Sequence, residues 1–243
     1  MTDSHAVILA IETSNPSLGP ASVVVGRVAA DGGVVILAEE ALSPSGRHDD
    51  ALLPAIARVC ERAGAQPGSI GRVAVSVGPG GFSGLRVACA TAQMIGLATG
   101  AKCVPVPTAL VAAAAYFQRE PGVERLVVAL GGKRESAWVA GVDRADSLER
   151  QAASAAGGRA LDAEGFAEAL ASMQPDVVLA DAHLPVALGE VARAGGVPVQ
   201  APTLSARVAA FVGAALPTVE AQRMAPIYPR EPEAVRKWRE LGR

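Results

Sequence analysis

The chain has 243 residues, half of them hydrophobic and 19% charged, which supplies ample apolar material for a packed core and excludes bulk disorder. A formal net charge of −2 argues against a stand-alone nucleic-acid binder, which normally carries a basic surplus. Aromatics are only 3%, and 26 glycines and 17 prolines punctuate the chain, so the core is expected from Val, Leu, Ile and Ala, in one large domain or two small ones.

In chain order, Ala6 to Thr13, Ala21 to Val28 and Gly33 to Ala41 read as three strands of an antiparallel meander, with Asn15-Pro16-Ser17 and Asp31-Gly32-Gly33 as turns. A helix from Asp49 to Ala63 follows, with Pro54 expected in its first turn and Gly64 as its stop. Alternation then begins: strand Arg72 to Val77, helix Ser83 to Thr99, strand Lys102 to Val106, helix Thr108 to Phe117. The second half repeats this order more loosely. Strands Arg125 to Leu130 and Ser136 to Val142 precede a Gly- and Ala-rich loop, then helix Asp162 to Ser172, strand Val177 to Ala180, helix Pro185 to Ala194, strand Val197 to Gln200 and helix Ser205 to Leu216. A proline-marked stretch from Pro217 to Pro232 leads to a terminal helix over Glu233 to Leu241, expected to pack Val235 and Trp238 on the first unit. Two α/β units of one plan, meeting at a hinge near Pro105 to Thr108, are the architecture implied.

Cys60, Cys89 and Cys103 are odd in number and lack CxxC spacing, and read as small buried residues of a reducing compartment. The opening apolar run has no positive n-region and meets Glu12, unlike a signal peptide. The longest charge-free stretches, Val87 to Ala101 and Cys103 to Gln118, are shorter than a membrane-spanning helix requires. A cytoplasmic protein is expected.

The densest motif is Gly78-Pro79-Gly80-Gly81-Phe82-Ser83-Gly84-Leu85-Arg86, between a strand and a long helix. Its glycines allow positive φ and close backbone approach, and Ser83 is placed to cap the helix. Such a loop can bind phosphate, but it lacks the lysine of a Walker loop and the spacing of a dinucleotide fingerprint. A tight strand-to-helix turn with Phe82 tucked into the core is the simpler expectation. The helix that follows is uncharged from Val87 to Ala101, although a helix on the outside of a sheet normally shows water a polar face. Leu85, Ala88, Cys89, Ala92 and Gly96 form a small-residue side that lets another helix approach, and Ala51, Ala55 and Val59 leave the neighbouring helix similarly bare.

GPGGFSGLR resembles the GPGSFTGLR signature of the TsaB (YeaZ) family, the dimerization subunit of tRNA threonylcarbamoyladenosine biosynthesis. Three further stretches agree in order. Ile8 to Ser14 is similar to the family's ILAIDTS opening, Arg47-His48 with Leu52-Leu53-Pro54 to its RHSE-LLP stretch, and Pro226-Ile227-Tyr228-Pro229-Arg230 to its late P-x-Y-L-R. The resemblance implies an α/β chain with the actin-like ATPase (ASKHA) fold, two RNase H-like domains each with a mixed sheet flanked by helices. Residues 1–107 plus 223–243 are then the first domain and 108–222 the second. It implies a non-catalytic scaffold that pairs Ala51, Ala55, Val59, Leu85, Ala88, Cys89, Ala92 and Gly96 with a TsaD-like metalloprotein as a heterodimer. It further implies homodimers by the same surface when that partner is absent, a TsaE-like ATPase as second partner, and tRNA only within the complex.

Several positions depart from the family pattern. Glu12 stands where aspartate is expected in the nucleotide loop Glu12-Thr13-Ser14, and its longer side chain misplaces the carboxylate for an octahedral magnesium site. The second-domain motif is degraded to Gly131-Gly132-Lys133-Arg134. The metal-binding HxxxH of the TsaD relative is broken, because Leu52 follows His48 at the fourth place, and His5 and His183 lie far off. No catalytic residue, cofactor or metal is therefore expected. The rivals are an active small-molecule kinase or ATPase of this fold and a metal-dependent glycoprotease-like peptidase. Six basic and three acidic residues from Arg223 onward read as a solvated face, with a tRNA-backbone contact as the alternative.

Overall fold

Alternation along the first strand decides how both layers form. In the computed structural model, which describes residues 7–42, 48–132, 135–229, 238–239 and 241, β1 (Val7–Glu12) is buried along its whole length. Val7, Leu9 and Ile11 enter one core while Ile8 and Ala10 enter another, as period-two geometry requires of a central strand covered on both faces. β1 pairs antiparallel with β2 (Ser22–Val28), and β2 with β3 (Val34–Ala41). On its other side β1 pairs parallel with β4 (Ile70–Ser76), and β4 with β5 (Lys102–Val106). The first core is capped by α1 (His48–Ala63) and α2 (Phe82–Thr99), through Leu52, Ala55, Ile56 and Val59 of one and Ala88, Cys89 and Ala92 of the other.

The second sheet repeats the plan. β6 (Arg125–Gly131) pairs antiparallel with β7 (Ala137–Asp143), β7 with β8 (Arg159–Leu161), and β6 parallel with β9 (Val177–Ala180), which pairs parallel with β10 (Val199–Gln200). The orders β3-β2-β1-β4-β5 and β10-β9-β6-β7-β8 each place a three-strand meander beside two parallel strands. This is the doubled RNase H-like, actin-like architecture that the resemblance implies. α5 (Ala163–Met173) and α6 (Val186–Ala194) cover its outer face through Phe166, Leu170, Leu188 and Ala192. Between the sheets lies one continuous core, joined by α3 (Thr108–Arg119), α4 (Leu148–Ala156) and α7 (Ala206–Ala215). α7 lies so close on the first sheet that a methyl on Gly213 would stand 2.5 Å from Ala74 Cβ.

The structure corrects several local expectations. The Gly- and Ala-rich loop contains α4 and β8. Ser147 caps α4 by accepting the Arg150 amide, and Leu148, Ala152 and Ala155 pack inward. Alanine-rich composition favours helix as much as loop, and only Gly157 and Gly158 break it. Pro54 sits in the second turn of α1 rather than its first, because the helix starts at His48. The bond that proline cannot donate is lost, and the four buried side chains beside it hold the helix. α2 starts at Phe82 with Gly81 as its cap, so Ser83 is not the cap. Phe82 is 54% exposed and Trp238 60% exposed, so neither is tucked into a core. Val235, Arg134 and most of the expected terminal helix lie outside the described residues.

Candidate functional site

The glycine motif is built against the end of β1. Gly81 N donates to Ser14 O at 2.6 Å, and a methyl on Gly80 would stand 2.0 Å from that same oxygen. A methyl on Gly84 would stand 2.6 Å from Thr13 O, while Thr13 Oγ1 donates to Gly84 O at 3.0 Å. Gly78 O in turn accepts from Thr108 N at 2.9 Å. These glycines permit two loops to touch backbone to backbone, which no larger residue allows. The loop and the sequence-predicted nucleotide loop thus fill each other's space. The concavity left beside Glu12, Thr13, Asn15, Gly19 and Leu204 is too narrow to hold a small molecule.

Glu12 spends one carboxyl oxygen on its own turn. Its Oε1 accepts from Ser14 N at 2.8 Å and from Ser14 Oγ at 2.5 Å. Burial pushes its carboxyl above the ordinary glutamate value, against the smaller opposing pull of the Ser14 hydrogen bonds and of the nearby Ser76 hydroxyl. The second half contributes Asp181, buried at the end of β9. Its Oδ1 accepts from Gly131 N at 2.9 Å and His183 N at 3.1 Å, and its Oδ2 from Asn15 Nδ2 at 3.1 Å. Asp181 and Asn15 escaped the sequence reading, since nothing in either stretch announces a partner so distant along the chain.

Metal ligation does not fit these residues. Position 52, one turn after His48, is a leucine only 1% exposed and packed in the first core. Among the described residues no group of three or more His, Cys, Asp and Glu side chains could hold a metal ion. Among the described residues the imidazole of His183 joins no such group, and its backbone amide serves Asp181.

The small-residue ridge faces inward. Ala55, Val59, Leu85, Ala88, Cys89, Ala92 and Gly96 are buried by the chain itself, and Ala51 is half-buried. A methyl on Gly96 would stand 2.8 Å from Ala221 Cβ and 2.9 Å from Ala101 O. Small residues let α2 lie close on the sheet, so they are unavailable to a partner at their own side chains. The opposite side of the two helices carries large apolar groups: Leu53, Phe82, Met94 and Leu97 are all more than half exposed. On α2, Phe82, Arg86, Ala90, Met94 and Leu97 recur every three or four residues, one helical face. Its upper end is ordered by the late tyrosine motif. Arg86 stacks 3.8 Å over the Phe82 ring and donates from Nε to Tyr228 Oη at 3.0 Å, and the two rings lie 5.7 Å apart. Four-residue spacing of large side chains, set beside the four-residue spacing of small ones, was the available signal for which side is outward.

A family model for TsaD, tRNA N6-adenosine threonylcarbamoyltransferase, matches residues 35–213. A solved Pseudomonas aeruginosa structure, described as an uncharacterized protein with similarity to peptidase YEAZ, is similar over 93% of this chain and all of its own, at 20% identity and a TM-score of 0.65. YeaZ from Pseudomonas aeruginosa is similar over 92% of this chain and 99% of its own, at 19% identity and a TM-score of 0.60. At such identities the two structures speak for the fold. No curated relative matches the chain. No helix among the described residues is long and apolar enough to cross a membrane.

Proposed function

The chain belongs to the family of TsaD, the tRNA N6-adenosine threonylcarbamoyltransferase, and on that premise we propose that it is a non-catalytic scaffold resembling TsaB. It sets the outward face of α1 and α2 against the matching helices of a TsaD-like metalloprotein, forming a heterodimer. It pairs by the same face with a second copy when that partner is absent, and it offers part of the docking surface for a TsaE-like ATPase. The partners carry out transfer of the threonylcarbamoyl group to N6 of the adenosine next to the tRNA anticodon, and tRNA is met only within the complex, in the cytoplasm. Residues 1–107 with 223–243 form the unit that bears the face, and residues 108–222 the unit behind it.

The observation that carries this reading is the row Leu53, Phe82, Met94 and Leu97, four large apolar side chains left in water on two adjoining helices. Large apolar side chains left exposed on two helices that pack together are what an interaction surface offers a partner. The mutual filling of the two loops beside Glu12 supports a role without nucleotide turnover. The partner surface therefore shifts, relative to the sequence expectation, from the buried ridge to the opposite side of the same helices. Ala92→Arg is accordingly a core lesion and no longer tests the interface.

Met94→Glu with Leu97→Glu tests it at exposed positions. The double variant is expected to melt as the wild type does, to bind a TsaD-like, HxxxH-bearing protein at least about ten-fold more weakly, and to lower threonylcarbamoyladenosine in cellular tRNA by nucleoside mass spectrometry. Assembly at wild-type affinity refutes the face.

A further inference from the structure

Glu12 ends β1 as a carboxyl shut away from water, 2% exposed. Both Ser14 donors converge on its Oε1, whereas among the described residues no donor reaches Oε2. Ser76 bears on the same carboxyl, yet its hydroxyl completes no hydrogen bond. The neighbours that the fold supplies are Ser22 across the β1–β2 pair, Ser76 at the end of β4, and the Ser14 turn. None is charged, and among the described residues the influences on the carboxyl are burial first and then the Ser14 and Ser76 groups. A carboxylate in such a place lacks both water and a counter-charge, and the group takes up a proton instead.

We infer that Glu12 is held as the neutral carboxylic acid in the folded protein, with its proton on Oε2 and Oε1 left to the Ser14 donors, and that this neutral form keeps the Ser14 turn in place beneath the glycine loop. Ser14 O takes the Gly81 amide at 2.6 Å and leaves no space at Gly80, and Gly81 is the N-cap of α2. Ionised, Glu12 draws water or a cation to Oε2, and the room for it comes from the Ser14 turn. The displacement passes through Gly80 and Gly81 to Phe82 and Arg86. The coupling to a partner face rests on the function proposed above, whereas the protonation does not.

The sign of the pH dependence follows. The folded chain keeps this proton above the ordinary glutamate value of 4.5, where the unfolded chain has released it. Stability from the site is therefore full below that value, falls as pH rises toward the raised one, and levels off beyond it.

The full chain, carrying glutamate labelled with carbon-13 at Cδ, is titrated by NMR with no partner present, Glu12→Gln identifying the resonance. Glu12 is expected to stay at its protonated position after the exposed glutamates have titrated, and the melting temperature of the wild type to fall relative to Glu12→Gln as pH rises above 4.5. A Glu12 resonance that titrates with the exposed glutamates overturns the inference. Should Glu12→Gln not fold, Ser14→Ala serves as the second probe. Loss of a hydroxyl that favours the charged form raises the titration of one resonance further, and an unmoved set of resonances overturns the inference. Since the readout involves the isolated chain alone, failure here is separate from failure of the partner reading.

Discussion

Gly80→Ala tests whether the motif glycines serve backbone contact. The added methyl would lie 2.0 Å from Ser14 O, 2.8 Å from Ser14 C and 3.2 Å from Ser14 Cα, all backbone atoms that no rotamer change can clear. Ordinary contact requires a displacement exceeding 1 Å, which the 2.6 Å bond from Gly81 N to Ser14 O cannot follow. Loss of a buried hydrogen bond is worth about 1 kcal/mol, and overpacking about 1–3 kcal/mol. The reduced entropy of the unfolded chain returns about 0.4–1 kcal/mol, leaving a net destabilisation of roughly 1–4 kcal/mol. Equilibrium urea unfolding measures it, provided the slope is unchanged. Gly68→Ala is the control, because nothing lies within 4 Å of a methyl there, and it is expected to stay within about 0.5 kcal/mol of wild type. A Gly80→Ala protein with the wild-type midpoint refutes the packing role of the loop.

Gly189 lies inside α6 with nothing within 4 Å of an added methyl. Gly189→Ala is therefore expected to stabilise the chain by about 0.5–1 kcal/mol, and a lowered urea midpoint contradicts that geometry. Burial, with a smaller contribution from the Cys103 thiol, pushes Cys89 up to about 12, and burial also raises Cys60 and Cys103. Native alkylation at about pH 8, where exposed thiols react, is expected to modify half-buried Cys60 first and the other two only on unfolding. Peptide mass spectrometry decides it, and modified Cys89 in the folded protein refutes the buried placement.

Most strands were legible because burial on both faces writes itself as a β-branched apolar run. β5 and β9 fall on the expected residues. α4 was hidden because its helix-forming alanines end in a glycine pair, and β8 because three residues carry no period of their own. The glycine motif was legible as a signature but not as a contact, since its counterpart at Ser14 is more than sixty residues away. On α2 the error had a physical cause. Small residues every four positions permit close approach of any neighbour, and the sequence does not say whether that neighbour is the chain's own sheet or a second protein. The large residues on the opposite face resolve it, because a helix that lies close on its sheet leaves them in water.

Bonds from the later part of the chain to the first sheet explain how such a face keeps a fixed orientation. Asn15 Nδ2 donates to Asp181 at 3.1 Å, Ala206 N to Ser22 Oγ at 3.1 Å, and Arg207 pairs with Glu39 at 2.7 Å. Arg72 Nη1 reaches the carbonyls of Ala214 and Leu216 at 3.0 and 3.2 Å, at the end of α7. These bonds surround the continuous apolar core that both sheets share. The bonds of α7 fasten that helix to the first sheet and the Asn15–Asp181 bond spans the two sheets, while parting the sheets exposes the core they share to water, a cost that grows with the apolar area uncovered. The frame behind α1 and α2 is thus settled before a partner arrives, and a preorganised face forfeits less conformational entropy on association than one that must first be ordered.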